Sequence, residues 1–238
     1  MEPITSPEGH ARKVGAGTDI VMQIHYHPSG KPERDRSRVG LYFYRRPVEG
    51  VVGQIVLINR RFVIPAGAHD EAVKASFTLS HPVTLTAITP HMHYLGRTME
   101  VTARFPSGAQ RQLIRIGDWD WNWQLQYRLK RPIELPAGTR LDLVAHYDNS
   151  ADNPANPHQP PQPVRWGDQT SDEMCLCFLE VILPDDAALR RLRRDQLAVA
   201  VRRDPTVLLR FIPPLTERHP RPSSRDPFDS PNDSTSKR

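Results

Sequence analysis

The sequence predicts an all-β protein, a jelly-roll-type β-sandwich, on three observations. Ten short runs of β-forming residues recur between Asp19 and Leu183. Gly- and Pro-rich turn signals separate them, and helical periodicity is nearly absent before Pro184. Short strands at such spacing, without intervening helices, are the pattern of a sandwich and not of a parallel α/β sheet.

Taken in order, the predicted strands are Asp19 to Tyr26, Arg38 to Tyr44, Gly53 to Ile58, Ala72 to Leu79 and Thr84 to Thr89, followed by Thr98 to Phe105, Gln112 to Ile116, Trp121 to Leu129, Thr139 to Tyr147 and Met174 to Leu183. One turn chemistry recurs at Gly15 to Thr18, Pro65 to Ala68 and Pro136 to Thr139. Residues 1–46 hold two strands and a Pro/Lys/Arg-rich hairpin, too little for a domain, and are expected to be the remnant of a preceding sandwich. Residues 47–184 are expected to form a complete one. Residues 185–212 read as a basic amphipathic helical segment. Asp185 or Asp186 caps it, Leu189, Leu192 and Val199 share a stripe broken by Gln196, and Arg190, Arg191, Arg193 and Arg194 surround the stripe. Residues 213–238 are dominated by Pro, Ser, Asp and Arg, a composition that buries too little apolar surface to order itself, so a disordered tail is expected.

Composition narrows the function classes. The 238 residues are 38% hydrophobic and 25% charged, with 24 prolines, as in a soluble protein rich in loops. No apolar run approaches the roughly 18 residues of a membrane-spanning helix. Met1 to Gly9 offers neither a basic stretch nor an apolar core, so it does not read as a secretory signal. The formal charge of +5 sits entirely in the last segment, where Asp186 to Arg238 holds twelve basic and seven acidic residues. A neutral body gives no electrostatic footprint for nucleic acid. Only two cysteines occur, Cys175 and Cys177. Alternate positions of a strand lie about 6.5 to 7 Å apart, at or beyond disulfide reach, so no bridge between them is expected. Nucleophile-elbow, phosphate-loop and dinucleotide fingerprints are absent from the sequence.

The sharpest chemical signal is Ile88-Thr-Pro-His91-Met-His93-Tyr-Leu-Gly96. On an extended strand His91 and His93 point to one face, so two imidazoles can converge on one ion. A third ligand must come from elsewhere. The second signal is Trp166-Gly-Asp-Gln-Thr-Ser-Asp-Glu-Met174-Cys-Leu-Cys-Phe178, which opens the last strong strand. A thioether is soft, and two imidazoles with one thioether favour Cu(I) over zinc or magnesium. Each signal alone has a plainer explanation, because a methionine entering a strand is usually core filler.

Together, the His91-Met-His93-Tyr-Leu-Gly96 and Asp172-Glu-Met174-Cys175 motifs resemble the C-terminal domain of the type II, ascorbate-dependent copper monooxygenases. That family includes peptidylglycine α-hydroxylating monooxygenase and dopamine β-hydroxylase. The resemblance implies catalytic copper on His91, His93 and Met174, with dioxygen as co-substrate, hydroxylation of a C–H bond in a small molecule, and ascorbate or another electron donor as reductant. It extends over roughly Gly17 to Leu183. The segment Ile20 to Tyr26 resembles the end of the family's N-terminal domain, which makes His25 a possible ligand of a second, electron-transferring copper. That copper's other ligands, an adjacent histidine pair, have no counterpart in the chain. Electrons are therefore expected from a second copper or an electron-transfer domain or protein.

Departures from the family pattern matter as well. Cys175 has no distant partner for the family's disulfide, and Leu176 and Phe178 replace polar and tyrosyl groups that hold a peptide carboxylate. Tyr147 to Pro154 and Arg165 to Gly167 resemble the bacterial branch instead. Family habit implies a periplasmic or secreted location. Two rival readings stand beside the enzyme. One is a catalytically inactive copper-binding or interaction sandwich. The other is a carbohydrate platform on Trp119, Trp121 and Trp123, which alternate along a predicted strand, although such a stripe is more often packing. His146 and His158 have no partner at metal spacing and receive no role.

Overall fold

The computed structural model describes residues 5–22, 24, 26 and 29–205. Its strands are β1 (His10–Ala11), β2 (Gly50–Asn59), β3 (Val63–Ile64), β4 (Glu71–Thr78), β5 (Val83–His91), β6 (Gly96–Arg104), β7 (Gln110–Ile116), β8 (Tyr127–Leu135), β9 (Arg140–Tyr147), β10 (Val164–Arg165) and β11 (Cys175–Leu183), and one helix follows, α1 (Asp186–Arg203). The chain divides into two units, Met1–Val199 and Ala200–Arg238, and the first contains every strand.

One sheet runs β1-β2-β11-β5-β8 and the other β4-β9-β6-β7, with β3 and β10 paired apart. Setting the three two-residue strands aside, the long strands stand in the order first-eighth-third-sixth and second-seventh-fourth-fifth. That is the topology of a jelly roll, as the sequence predicts. The inner faces follow the period of two. Met99, Val101 and Ala103 on β6 and Leu141, Leu143, Ala145 and Tyr147 on β9 are all fully buried. β11 lies between β2 and β5 and departs from alternation: its sequence Cys-Leu-Cys-Phe-Leu-Glu-Val-Ile-Leu is buried almost throughout.

β11 and β5 are antiparallel neighbours, with Leu176 opposite His91 at one end and Ile182 opposite Thr84 at the other. The C-terminal end of β5 and the N-terminal end of β11 therefore meet at one rim, and this pairing brings the two sequence motifs together. In mid-strand, buried Glu180 accepts Thr86 Oγ1 at 3.1 Å and pairs with Arg12 at 2.9 Å. The ion pair pins the start of the described chain to the sandwich.

Three predicted strands end differently. The described residues of Asp19 to Tyr26 and of Arg38 to Tyr44 join no ladder, and their apolar side chains face outward, Val21 at 88% and Tyr42 at 90% exposure. Their alternation is a strand pattern, but a strand needs a neighbour to satisfy its backbone. The run predicted from Trp121 becomes strand only at Tyr127, and residues 117–126 form a loop. His25 and the expected tail, residues 213–238, lie outside the described residues.

The helix begins where an acidic cap permits. Asp185 accepts the Ala188 N–H at 2.7 Å, and Leu189 and Leu192 bury against the sandwich. The polar break in its stripe has a purpose: Gln196 accepts the Val56 N–H at 2.8 Å and donates to the Gln54 carbonyl at 2.9 Å. The amide thus substitutes for a neighbouring strand along β2. Among the described residues no helix is long and apolar enough to cross a membrane. Replacing Gln196 by Ala is expected to lower unfolding free energy by about 1–2 kcal/mol in urea titrations, whereas Arg194→Ala, on the exposed side, should stay within about 0.5 kcal/mol.

Candidate metal centre

His91 is the last residue of β5, and Met92 to Leu95 carry the chain into β6. Met92 and Leu95 are fully buried and anchor this connection in the core, while His91 is half-buried and His93 is 3% exposed. The two rings stand edge to face, centroids 5.2 Å apart and planes at 89°. The strand expected to carry both residues ends at His91 and His93 lies just past it, yet the two rings still stand together, with Met92 fully buried between them in sequence.

Each ring has its Nδ1 committed. His91 Nδ1 meets Gln124 Oε1 at 2.5 Å, and His93 Nδ1 meets the Asp172 carbonyl at 3.0 Å. Both partners are oxygens without a proton to give, so Nδ1 is the donor in each ring, and His93 has a second main-chain partner at Gln169. Burial holds both imidazoles below their ordinary range, which keeps them neutral near pH 7. Neutral imidazoles with Nδ1 anchored and Nε2 open are the form in which histidine binds a metal.

The second motif is locked to the first by Glu173. This fully buried carboxylate accepts the N–H of His93 at 2.8 Å and of Met174 at 3.0 Å on Oε2, and that of Leu95 at 2.7 Å on Oε1. Burial pushes its pKa up to about 8, against the opposing pull of those N–H donors. The His93 and Met174 backbones thus converge on one oxygen atom. Met174 is half-buried, and its carbonyl accepts the Tyr147 hydroxyl at 2.9 Å. Upstream, the Glu173 N–H bonds the Arg165 carbonyl at 3.0 Å, and the Asp172 side chain lies against bare Gly167. A Cβ at Gly167 would fall 2.0 Å from the Asp172 carboxylate, so only glycine fits there. Gly96 is constrained in the same way: a Cβ would lie 2.9 Å from both Met92 and Trp119.

The tryptophans do not form a stripe on a strand. They sit on the 117–126 loop and diverge. Trp119 Nε1 donates to the His93 carbonyl at 3.1 Å, and Trp121 packs edge-on to His93 at 5.3 Å and tilted to His91 at 6.4 Å, while Trp123 is 62% exposed. His146 pairs with Asp70 and His158 Nε2 with the Ser171 carbonyl. Both cysteines are free and buried, and burial pushes the Cys175 thiol up to about 12 and Cys177 also upward. Among the described residues no group of three or more His, Cys, Asp or Glu side chains gathers as a metal site. The sequence assigned no role to Glu173 or Gln124, and Trp121 was read only as part of a tryptophan stripe. A carboxylate immediately before a strand of apolar residues was the one signal available.

No protein family and no curated protein matches this chain. Among solved structures it is similar to the infectious bursal disease virus Gx strain, with 9% identity and a TM-score of 0.30 over 62% of this chain and 38% of that one. The VP2 subviral particle of infectious bursal disease virus gives 8% identity and 0.28 over 70% and 53%. Dimeric latent PorU from Porphyromonas gingivalis gives 9% and 0.21 over 58% and 13%. The chain thus spans well under two thirds of each of these proteins.

Two outcomes follow. Glu173→Ala strands three buried N–H groups and is expected to cost roughly 3 kcal/mol or more in denaturant titrations, with Glu173→Gln costing less. Ellman's reagent at pH 8 should modify neither thiol of the native protein and both after unfolding, since the thiolates are not populated in the folded state. Prompt reaction of either thiol would contradict the burial described.

Proposed function

We propose that this chain is the C-terminal domain of a copper-dependent monooxygenase of the type II, ascorbate-dependent class, with His91, His93 and Met174 as the ligands of its catalytic copper. The observation that carries the reading is the pair of imidazoles, ring centroids 5.2 Å apart and each with Nδ1 tied to an oxygen, on a segment bound through Glu173 to Met174. Two imidazoles and a thioether suit a soft, reduced metal. Bound copper would supply dioxygen activation for hydroxylation of a C–H bond in a small molecule, with ascorbate or another donor, or an electron-transfer protein, as the source of electrons. The chain's own part is to hold the two rings, exclude water with Trp121 and the buried Met92, and keep the imidazoles unprotonated. The peptide carboxylate of the animal enzymes finds no polar partner at Leu176 and Phe178, so a different substrate class is proposed. A periplasmic or secreted location belongs to the same proposal.

Titration of the full chain with Cu(I) against a competing chelator is expected to give one site. His93→Ala should abolish it and Met174→Ile weaken it at least tenfold, with loss of sulfur scattering in the copper absorption spectrum. Unchanged affinity in Met174→Ile would remove the third ligand and with it the family reading. Copper binding without ascorbate-dependent oxygen uptake would favour the inactive copper-binding module.

A further inference from the structure

We infer that Gln124 is a positioning residue for His91, its side-chain oxygen fixing the imidazole in the Nδ1–H form so that Nε2 is the nitrogen left to bind. The consequence for copper rests on the proposed function, but the geometry does not. The amide's orientation is set independently of the histidine, because Gln124 Nε2 donates to the Trp121 carbonyl at 2.8 Å. The atom turned to His91 is therefore Oε1, which can only accept.

The loop that presents this oxygen is itself built to hold still. The Asp120 carboxylate accepts the Asn122 N–H at 2.8 Å, and the Asp120 carbonyl accepts the Trp123 N–H at 2.9 Å. That closes a turn around Trp121. At its near end the Trp119 N–H bonds the Arg97 carbonyl at 2.9 Å, and the Trp119 indole bonds the His93 carbonyl. Trp119, Trp121 and Gln124 thus all engage the segment that carries the two histidines. The ring of Trp121 limits the tilt of both imidazoles, and Gln124 limits rotation of His91 about its own bond.

The two histidines differ in what holds them. The acceptor for His93 is a main-chain carbonyl, which no substitution removes. For His91 it is a side chain, so the tautomer of this ring alone can be changed by one replacement. Gln124→Leu keeps similar bulk and takes the acceptor away, and Gln124→Glu keeps an acceptor at the same reach.

The test is 15N spectroscopy of the histidine rings in the metal-free full chain at pH 8, with His91 assigned by its loss in His91→Gln. The expected result is a protonated Nδ1 and bare Nε2 at His91 in the wild type, a shift toward the Nε2–H form in Gln124→Leu, and retention of the wild-type form in Gln124→Glu. Cu(I) competition is expected to weaken about 10–100-fold in Gln124→Leu and to recover to within a few-fold in Gln124→Glu. An unchanged His91 tautomer in a natively folded Gln124→Leu, or wild-type Cu(I) affinity in that variant, overturns the inference. If the wild-type chain binds no Cu(I), the copper reading falls, and the tautomer measurement still decides the role of Gln124.

Discussion

The rim of this sandwich is organised by one buried carboxylate. Glu173 gathers main-chain N–H groups from His93, Leu95 and Met174, joining stretches eighty residues apart in the chain. A fully buried carboxyl, its pKa pushed up to about 8 by burial, could not have its acceptor oxygens satisfied there unless donors surrounded it, and the connection between β5 and β6 supplies two of them. The cost of leaving either side unpaired makes the arrangement all or none. Removal of the acid strands the amides, and displacement of the loop strands the acid.

Jelly-roll topology makes this closure possible. β5 and β11 are third and eighth of the long strands yet lie side by side, and their antiparallel pairing sets Leu176 against His91. The end of one and the start of the other must then share a rim. Around that rim the chain uses close contacts that only glycine allows, Gly96 beneath Met92 and Trp119 and Gly167 beneath Asp172. The histidine pair is thus held by packing below, hydrogen bonds at each Nδ1, and an indole ring alongside. Rings fixed from three directions have little rotational freedom left.

Away from the rim, polar side chains replace absent neighbours. Gln196 completes the edge of β2, and Arg12 neutralises Glu180 within the sheet. In contrast, the alternating apolar residues around Val21 and Tyr42 meet no such partner among the described residues and remain outward. The same period of two that marks β6 and β9 therefore leads to different ends, because alternation reports which side of a strand is apolar and not whether a sheet exists to receive it.

The class of the fold, the inward residues of β6 and β9, the helix after Pro184 with its acidic cap, and the pairing of His91 with His93 were legible from periodicity and local chemistry alone. These depend on neighbours within a few residues, where backbone geometry is decisive. The tryptophan loop was misread as a strand because Trp121 and Trp123 alternate without being paired. The roles of Gln124, Trp121 and Glu173, the order of the strands and the anchoring of each Nδ1 belong to the tertiary structure. Gln124 reaches His91 across 33 residues and Glu173 reaches His93 across 80, and a hydrogen-bond acceptor leaves no mark in sequence until folding has chosen its donor.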